Sequence, residues 1–107
     1  MKIIWILVNC NSIKEARVLG NKILDKRLAA CFDIFDRNIT SYFWPPNSNK
    51  KETAKGALLI IETLEKKYKK IQSFIKKLHS DKLPFIGYLD IKGTDVKYQN
   101  WLKGEIK

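Results

Sequence analysis

The sequence predicts an α+β fold with the element order βαββαβ and one extra helix at the C-terminus. Two continuous aliphatic runs, at 3–8 and 57–63, have the length and composition of buried strands. Two further segments repeat apolar residues every three to four positions, as amphipathic helices do. The 107 residues, 45% of them hydrophobic, suit one domain over 1–107. We therefore expect a ferredoxin-like antiparallel sheet with both long helices on one face.

The first half of the chain reads as a strand, a helix and a second, longer strand. Ser12 and Glu15 have capping-box spacing, which places a helix start just after the first apolar run. The long strand is expected to bend near 36–38 and to stop at Pro45. The predicted elements are strand one at 3–8, a helix at 12–27, strand two at 30–44 and an exposed loop at 45–55.

The second half contains the strongest helix signal. Apolar residues from Tyr68 to Leu78 occupy one side of a helical wheel, and lysines cover the other side. Pro84 then restarts the chain ahead of an alternating segment. The remaining predicted elements are strand three at 57–63, strand four at 85–91 and a short helix at 95–103.

The charge balance raises a rival function. Lys and Arg number 21 against 11 acidic residues, a net charge of +10, and the βαββαβ order is shared by RNA-recognition motifs. Such a module needs aromatic residues on its third strand, and 56–62 contains none. The lysines instead form a solvated helix face. We expect no specific nucleic-acid partner and keep a basic RNA-binding module as an alternative.

A small acylphosphatase-like enzyme is a second alternative with the same topology. Its phosphate site needs an arginine in the loop after strand one, because a planar guanidinium binds phosphate through two hydrogen bonds. That loop, at 9–12, supplies asparagines and no arginine. No spacing suggests a nucleophile with its base either. We therefore expect a non-enzymatic protein with no required cofactor.

Nothing in the sequence predicts membrane insertion or export. The longest apolar run has six residues, whereas a spanning helix needs about 20 and a signal peptide needs a longer apolar core. The expected compartment is the reducing cytoplasm, where Cys10 and Cys31 stay as thiols, Cys31 in a buried position.

Several segments in order along the chain resemble the CutA family of divalent-cation tolerance proteins. The resemblance spans nearly the whole sequence. The matching segments are Leu28-Ala29-Ala30-Cys31, Ser41-Tyr42-Phe43-Trp44, Leu58-Leu59-Ile60-Ile61-Glu62-Thr63, Leu78-His79 ahead of Leu83-Pro84, and Tyr98-Gln99-Asn100-Trp101-Leu102.

The resemblance implies a tight homotrimer that binds divalent cations such as Cu(II) or acts in metal-response signalling. Strands one and three are apolar on both sides, so a neighbouring subunit would cover the sheet face that the helices leave open. The sequence also departs from the family pattern near the expected subunit cleft. The departures are Pro45-Pro46 after Trp44, Gly56 for an acid, Glu62 for a lysine, and Ser80 to Lys82 after His79.

Four residues at the matching positions are the candidate site. Cys31 and His79 are the candidate metal ligands, because thiolate and imidazole together favour copper or zinc. Tyr42 and Trp44 are expected to line a cleft between subunits. Each also has a simpler explanation: a packed thiol for Cys31, a capping side chain for His79, and ordinary packing for the two aromatic residues.

Overall fold

The computed structural model describes residues 1–107 as one four-stranded antiparallel sheet with three α-helices. The sheet order is β2-β3-β1-β4, which confirms the predicted βαββαβ order with an additional C-terminal helix. A 3₁₀ turn at Glu65–Lys67 precedes the second helix. The elements are β1 (Ile3–Cys10), α1 (Ile13–Asp25), β2 (Cys31–Phe43), β3 (Lys51–Leu64), α2 (Tyr68–Leu78), β4 (Ile86–Ile91) and α3 (Val96–Glu105).

Strands β2 and β3 form a long hairpin that projects beyond the end of β1. Strand β3 begins at Lys51 and not near residue 57, so the predicted loop is shortened to 44–50. The first residues of β3 pair with the end of β2, where Phe43 lies opposite Lys51. Strand β1 does not reach this region, because its pairing with β3 ends at Ala57. The register shifts between Arg37 and Thr40, which confirms the predicted bend. The projecting part is largely exposed and carries apolar side chains such as Ile39 and Phe43 as well as polar ones.

The core lies between one face of the sheet and helices α1 and α2. Alternate residues of β1, from Ile4 to Cys10, are fully buried and pack with alternate residues of β3. Ser12 caps α1 by accepting a hydrogen bond from the backbone N–H of Glu15 at 3.0 Å.

None of the helices is long and apolar enough to span a membrane.

Helix α3 covers only one end of the opposite face, which we call the open face. Leu102 of this helix and Ile106, directly after it, pack with Ile3 and Leu64. The Glu62 carboxylate of β3 accepts a hydrogen bond from Tyr98, which holds the helix on the sheet, and a second one from Trp5 of β1. The rest of this face stays partly or largely exposed and carries the side chains of Trp5, Leu7, Phe35, Leu58, Ile60 and Leu89.

A buried hydroxyl joins β3 to the segment before β2 and gives a stability prediction. Thr63 Oγ1 donates to the carbonyl of Leu28 at 2.6 Å, and Thr63 is fully buried. Thr63→Val leaves that carbonyl without this donor, so we expect the free energy of unfolding to fall by about 1–3 kcal/mol. Urea unfolding at a fixed protein concentration measures this.

The matched control is Thr53→Val, on the exposed hairpin part of the same strand. Its free energy of unfolding should change by about 0.5 kcal/mol or less. Equal effects of the two substitutions would show that the Thr63 bond does not stabilise the fold.

Candidate functional site

The end of β1 meets the start of α1 and the end of α2, and three metal-type donors come together there. Cys10 is the last residue of β1, Glu15 lies in the first turn of α1, and His79 follows α2 directly. The antiparallel pairing of β1 with β4 brings the α2–β4 connection back to this corner, where Asn9 N–H donates to the carbonyl of Phe85 at 3.2 Å. Residues far apart in sequence therefore become neighbours.

The three donor atoms lie within 4.8 Å of one another. Within this cluster, His79 Nε2 is 3.8 Å from Glu15 Oε1. Cys10 is fully buried and His79 is 8% exposed, so bulk water has little access to the sulfur or the ring. The group combines a soft sulfur, a borderline nitrogen and a hard oxygen, a donor set suited to copper or zinc.

Both nitrogens of the His79 ring are engaged. The carbonyl of Asn9 accepts a hydrogen bond from Nε2 at 2.7 Å, so this nitrogen carries a proton. Nδ1 accepts a hydrogen bond from the backbone N–H of Asp81 at 3.0 Å, so its lone pair is occupied. These two partners fix the ring orientation and the tautomer.

Glu15 is held by backbone donors on two sides. Its Oε1 accepts from the N–H of Asn11 at 2.8 Å, and its Oε2 accepts from the N–H of Ser80 at 2.9 Å. Burial acts to raise the pKa of Glu15, but hydrogen bonds from Ser80 and Asn11, helped by His79, hold this pKa below its usual value. The carboxylate is therefore ionised at neutral pH and ties α1 to the residues after α2.

The Cys10 thiol is a poor nucleophile in this structure. Burial raises its pKa to about 12, the Glu15 carboxylate adds to the rise, and the Arg37 guanidinium opposes it. A thiol beside an imidazole and a carboxylate has the composition of a cysteine-type catalytic centre. Because the reactive species is the thiolate, the raised pKa argues against that use.

Within one chain, Cys31 and His79, the two predicted metal ligands, do not lie together. Cys31 pairs with Glu62, and Glu62 pairs with Trp5, whereas His79 binds the carbonyl of Asn9. Trp5 and Asn9 are four residues apart on β1, which corresponds to about 13 Å at the usual rise per residue. Cys31 also faces the open side of the sheet and Cys10 the helix side, so one ion cannot bind both.

The surroundings of Cys31 differ from the buried position that the sequence predicts for this thiol. Its side chain is half-buried, and its Sγ lies 3.7 Å from Glu62 Oε1. Burial raises the pKa of this thiol to about 11, and the Glu62 carboxylate adds to the rise.

Tyr42 and Trp44 line an open groove of about 420 Å³ beside the donor cluster. One wall is the β2–β3 hairpin, and the other is formed by residues 80–83 of the same chain. Arg37 reaches across β3 above Gly56, where an added Cβ would collide with its guanidinium, and its Nη2 lies 3.5 Å from the carbonyl of Cys10. The two aromatic residues thus share the groove with residues 80–83, the segment that directly follows His79.

Comparison with known proteins identifies the family. Residues 4–105 match the family model described as "CutA1 divalent ion tolerance protein". The chain belongs to the CutA1 family.

Relatives and solved structures of this family cover most of the chain. The "Protein CutA homolog" of Danio rerio is 32% identical over 97 residues, which are 91% of this chain and 63% of the relative. The chain thus spans less than two thirds of that relative's length. The "Divalent-cation tolerance protein CutA" of Thermotoga maritima is 32% identical over 93 residues, 87% of this chain and 88% of the relative.

The fold agrees with solved CutA structures. The crystal structure of CutA1 from Oryza sativa has a TM-score of 0.92 at 29% identity, covering 100% of this chain and 95% of that one. The structure of the periplasmic divalent cation tolerance protein CutA from Archaeoglobus fulgidus has a TM-score of 0.91 at 25% identity, covering 98% and 99%.

Cys10 and Glu15 are the two members of the cluster that are not among the candidate ligands from the sequence of this CutA1 chain. Glu15 is the less expected of the two. Its capping-box position predicts a helix start and gives no hint of a second use. The structure shows that the carboxylate folds back towards the end of β1, which brings it near Cys10. A carboxylate that caps the helix directly after a strand ending in cysteine is the signal that sequence analysis could have used.

The raised thiol pKa gives a testable reactivity. In a Cys31→Ala background, native Cys10 should react with Ellman's reagent at pH 8 more than about a hundredfold slower than in urea, because so little thiolate is present. The native rate should keep rising about tenfold per pH unit up to pH 10, since the pKa is about 12. Absorbance at 412 nm follows the reaction. A native rate that levels off below pH 9 would contradict the raised pKa.

Proposed function

We propose that this chain binds a divalent cation through Cys10, Glu15 and His79 and serves in divalent-cation tolerance. The observation that carries the proposal is the convergence of three donors within 4.8 Å at one buried corner. Relatives from Thermotoga maritima and Archaeoglobus fulgidus bear the name divalent-cation tolerance protein, which agrees with this use.

The chemistry of the donors favours Cu(II) or Zn(II) over oxygen-preferring cations. Thiolate and imidazole are strong ligands for these two ions, and the carboxylate adds negative charge. Binding must remove the thiol proton and at least one hydrogen bond of the His79 ring. We therefore propose reversible binding that strengthens as pH rises towards the pKa of Cys10.

We propose that the chain acts without catalysis and needs no resident cofactor. A thiol with a pKa of about 12 and an imidazole with both nitrogens engaged argue against cysteine-type catalysis. No observation favours the RNA-binding or acylphosphatase alternatives. The cytoplasmic location stays a prediction.

We propose a homotrimer assembled through the open face. Phe35 is 55% exposed and Leu89 53% exposed on a face that also carries Trp5 and Leu7. Apolar surface of this kind is more often covered by a partner than left in water. A three-fold assembly would cover it and would place the basic helices outside, away from one another.

Cation binding is tested by calorimetric titration with Cu(II). Cys10→Ala and His79→Gln should each weaken binding by at least about tenfold, since even residues behind the ligands contribute about 10- to 100-fold. Parent affinity should increase with pH because binding displaces a proton.

The matched control for this titration is Cys31→Ala, which removes the other thiol on the opposite face. Its Cu(II) affinity should equal that of the parent protein. If Cys31→Ala loses Cu(II) binding and Cys10→Ala keeps it, the cation site lies at Cys31 on the open face and the proposed site is wrong.

The assembly is tested by multi-angle light scattering. The parent should have a mass near 37.5 kDa, three times the 12.5 kDa chain. Phe35→Lys and Leu89→Lys should give smaller species, because burying an unpaired ammonium in an apolar interface is unfavourable. Val18→Lys, at a helix residue with 45% exposure, should stay trimeric. A parent monomer would overturn the trimer.

A further inference from the structure

The segment after His79 lies between the donor cluster and the groove. Two successive backbone N–H groups of this segment are held by the donors themselves. Ser80 N–H donates to Glu15 Oε2 at 2.9 Å, and Asp81 N–H donates to His79 Nδ1 at 3.0 Å. The conformation of residues 80–83 thus depends on atoms that the proposed function assigns to cation binding.

Asn11 closes the same network from the other side. Its side-chain Nδ2 donates to Ser80 Oγ at 2.8 Å and to Asp81 Oδ1 at 2.9 Å. Its backbone N–H donates to Glu15 Oε1 at 2.8 Å. These contacts favour the present position of the segment and therefore oppose any rearrangement at the donors.

Imidazole chemistry makes one of these contacts incompatible with cation binding. If Nδ1 of His79 ligates a cation, its lone pair no longer accepts from Asp81 N–H. If Nε2 ligates instead, the ring proton moves to Nδ1, which then donates and cannot accept. In both cases the hydrogen bond from Asp81 N–H to His79 is lost.

The released segment forms a wall of the groove. Asp81, Lys82 and Leu83 line it opposite Tyr42 and Trp44 of the hairpin. We propose that cation occupancy at Cys10, Glu15 and His79 is relayed to this groove through release of the Asp81 N–H, so that the shape of the groove reports the cation. The inference rests on the proposed function and adds a readout to it.

Linkage requires the coupling to act in both directions. Contacts that hold residues 80–83 in place stabilise the cation-free state and so weaken cation binding. Loosening the segment without touching a donor should therefore increase cation affinity. Asn11 is the residue to change, because its side chain binds only the segment and contributes no donor atom.

The experiment is a titration with Zn(II), a diamagnetic probe, followed by calorimetry and by amide NMR. In the parent protein, the amide signals of Asp81 and Leu83 and the indole signal of Trp44 should shift in step with binding. Asn11→Ala should bind Zn(II) about fivefold tighter or more.

Asn21→Ala, the same substitution at an exposed position of α1, is the control and should match the parent in affinity and in all three signals. Zn(II) binding that requires Cys10 but leaves the Asp81 and Trp44 signals unmoved overturns the relay while the proposed function stands. Unchanged or weaker affinity in Asn11→Ala also overturns it. Absence of any Zn(II) binding overturns the relay, and the proposed function is then decided by the Cu(II) titration.

Discussion

The antiparallel pairing of β1 between β3 and β4 is the constraint on which the rest of the structure depends. Its register turns Ile6 and Cys10 towards the helices and Trp5 towards the open face. A slip of one residue would exchange these two sets, because successive side chains of a strand point to opposite faces. It would also carry the Cys10 sulfur away from Glu15 and His79. The register that builds the core therefore also builds the donor cluster.

Charge is distributed unequally between the two faces of the sheet, and this distribution favours one mode of assembly. The outward side of α2 is rich in lysine, and none of its lysines has an acidic partner within 4.0 Å. Assembly through the helices would bring like charges together and strip their water, which is costly. The open face is mainly apolar, and its Glu62 is already satisfied by Trp5 and Tyr98. The face also carries the exposed Asp33, but contact through it would desolvate fewer charges than contact through the lysine-covered helix α2.

The sequence predicts most of the fold and only part of the site. Strands and helices with a clear apolar period were predicted because that period is a local signal. The paired residues 51–56 were not, because their pairing is non-local and their composition is polar. The family resemblance pointed to His79, which lies at the end of α2, and to Cys31 as a second ligand. It could not show that Cys31 lies on the opposite face of the sheet from Cys10, because matching segments do not tell which face a side chain occupies. The cluster of Cys10, Glu15 and His79 joins positions up to 69 residues apart and needs the folded chain.

The buried donors of the cluster are satisfied by partners within the chain. Polar atoms removed from water need hydrogen-bond partners, so the His79 ring and the Glu15 carboxylate bind backbone groups, and the Cys10 sulfur keeps its proton. Any cation must displace these partners before it gains its ligands. Under the proposed function, the bonds of Cu(II) or Zn(II) to sulfur and nitrogen would have to outweigh the loss of these hydrogen bonds. Mg²⁺ and Ca²⁺ prefer oxygen ligands and would gain little from the thiolate, so the same hydrogen bonds would disfavour them under the proposed function.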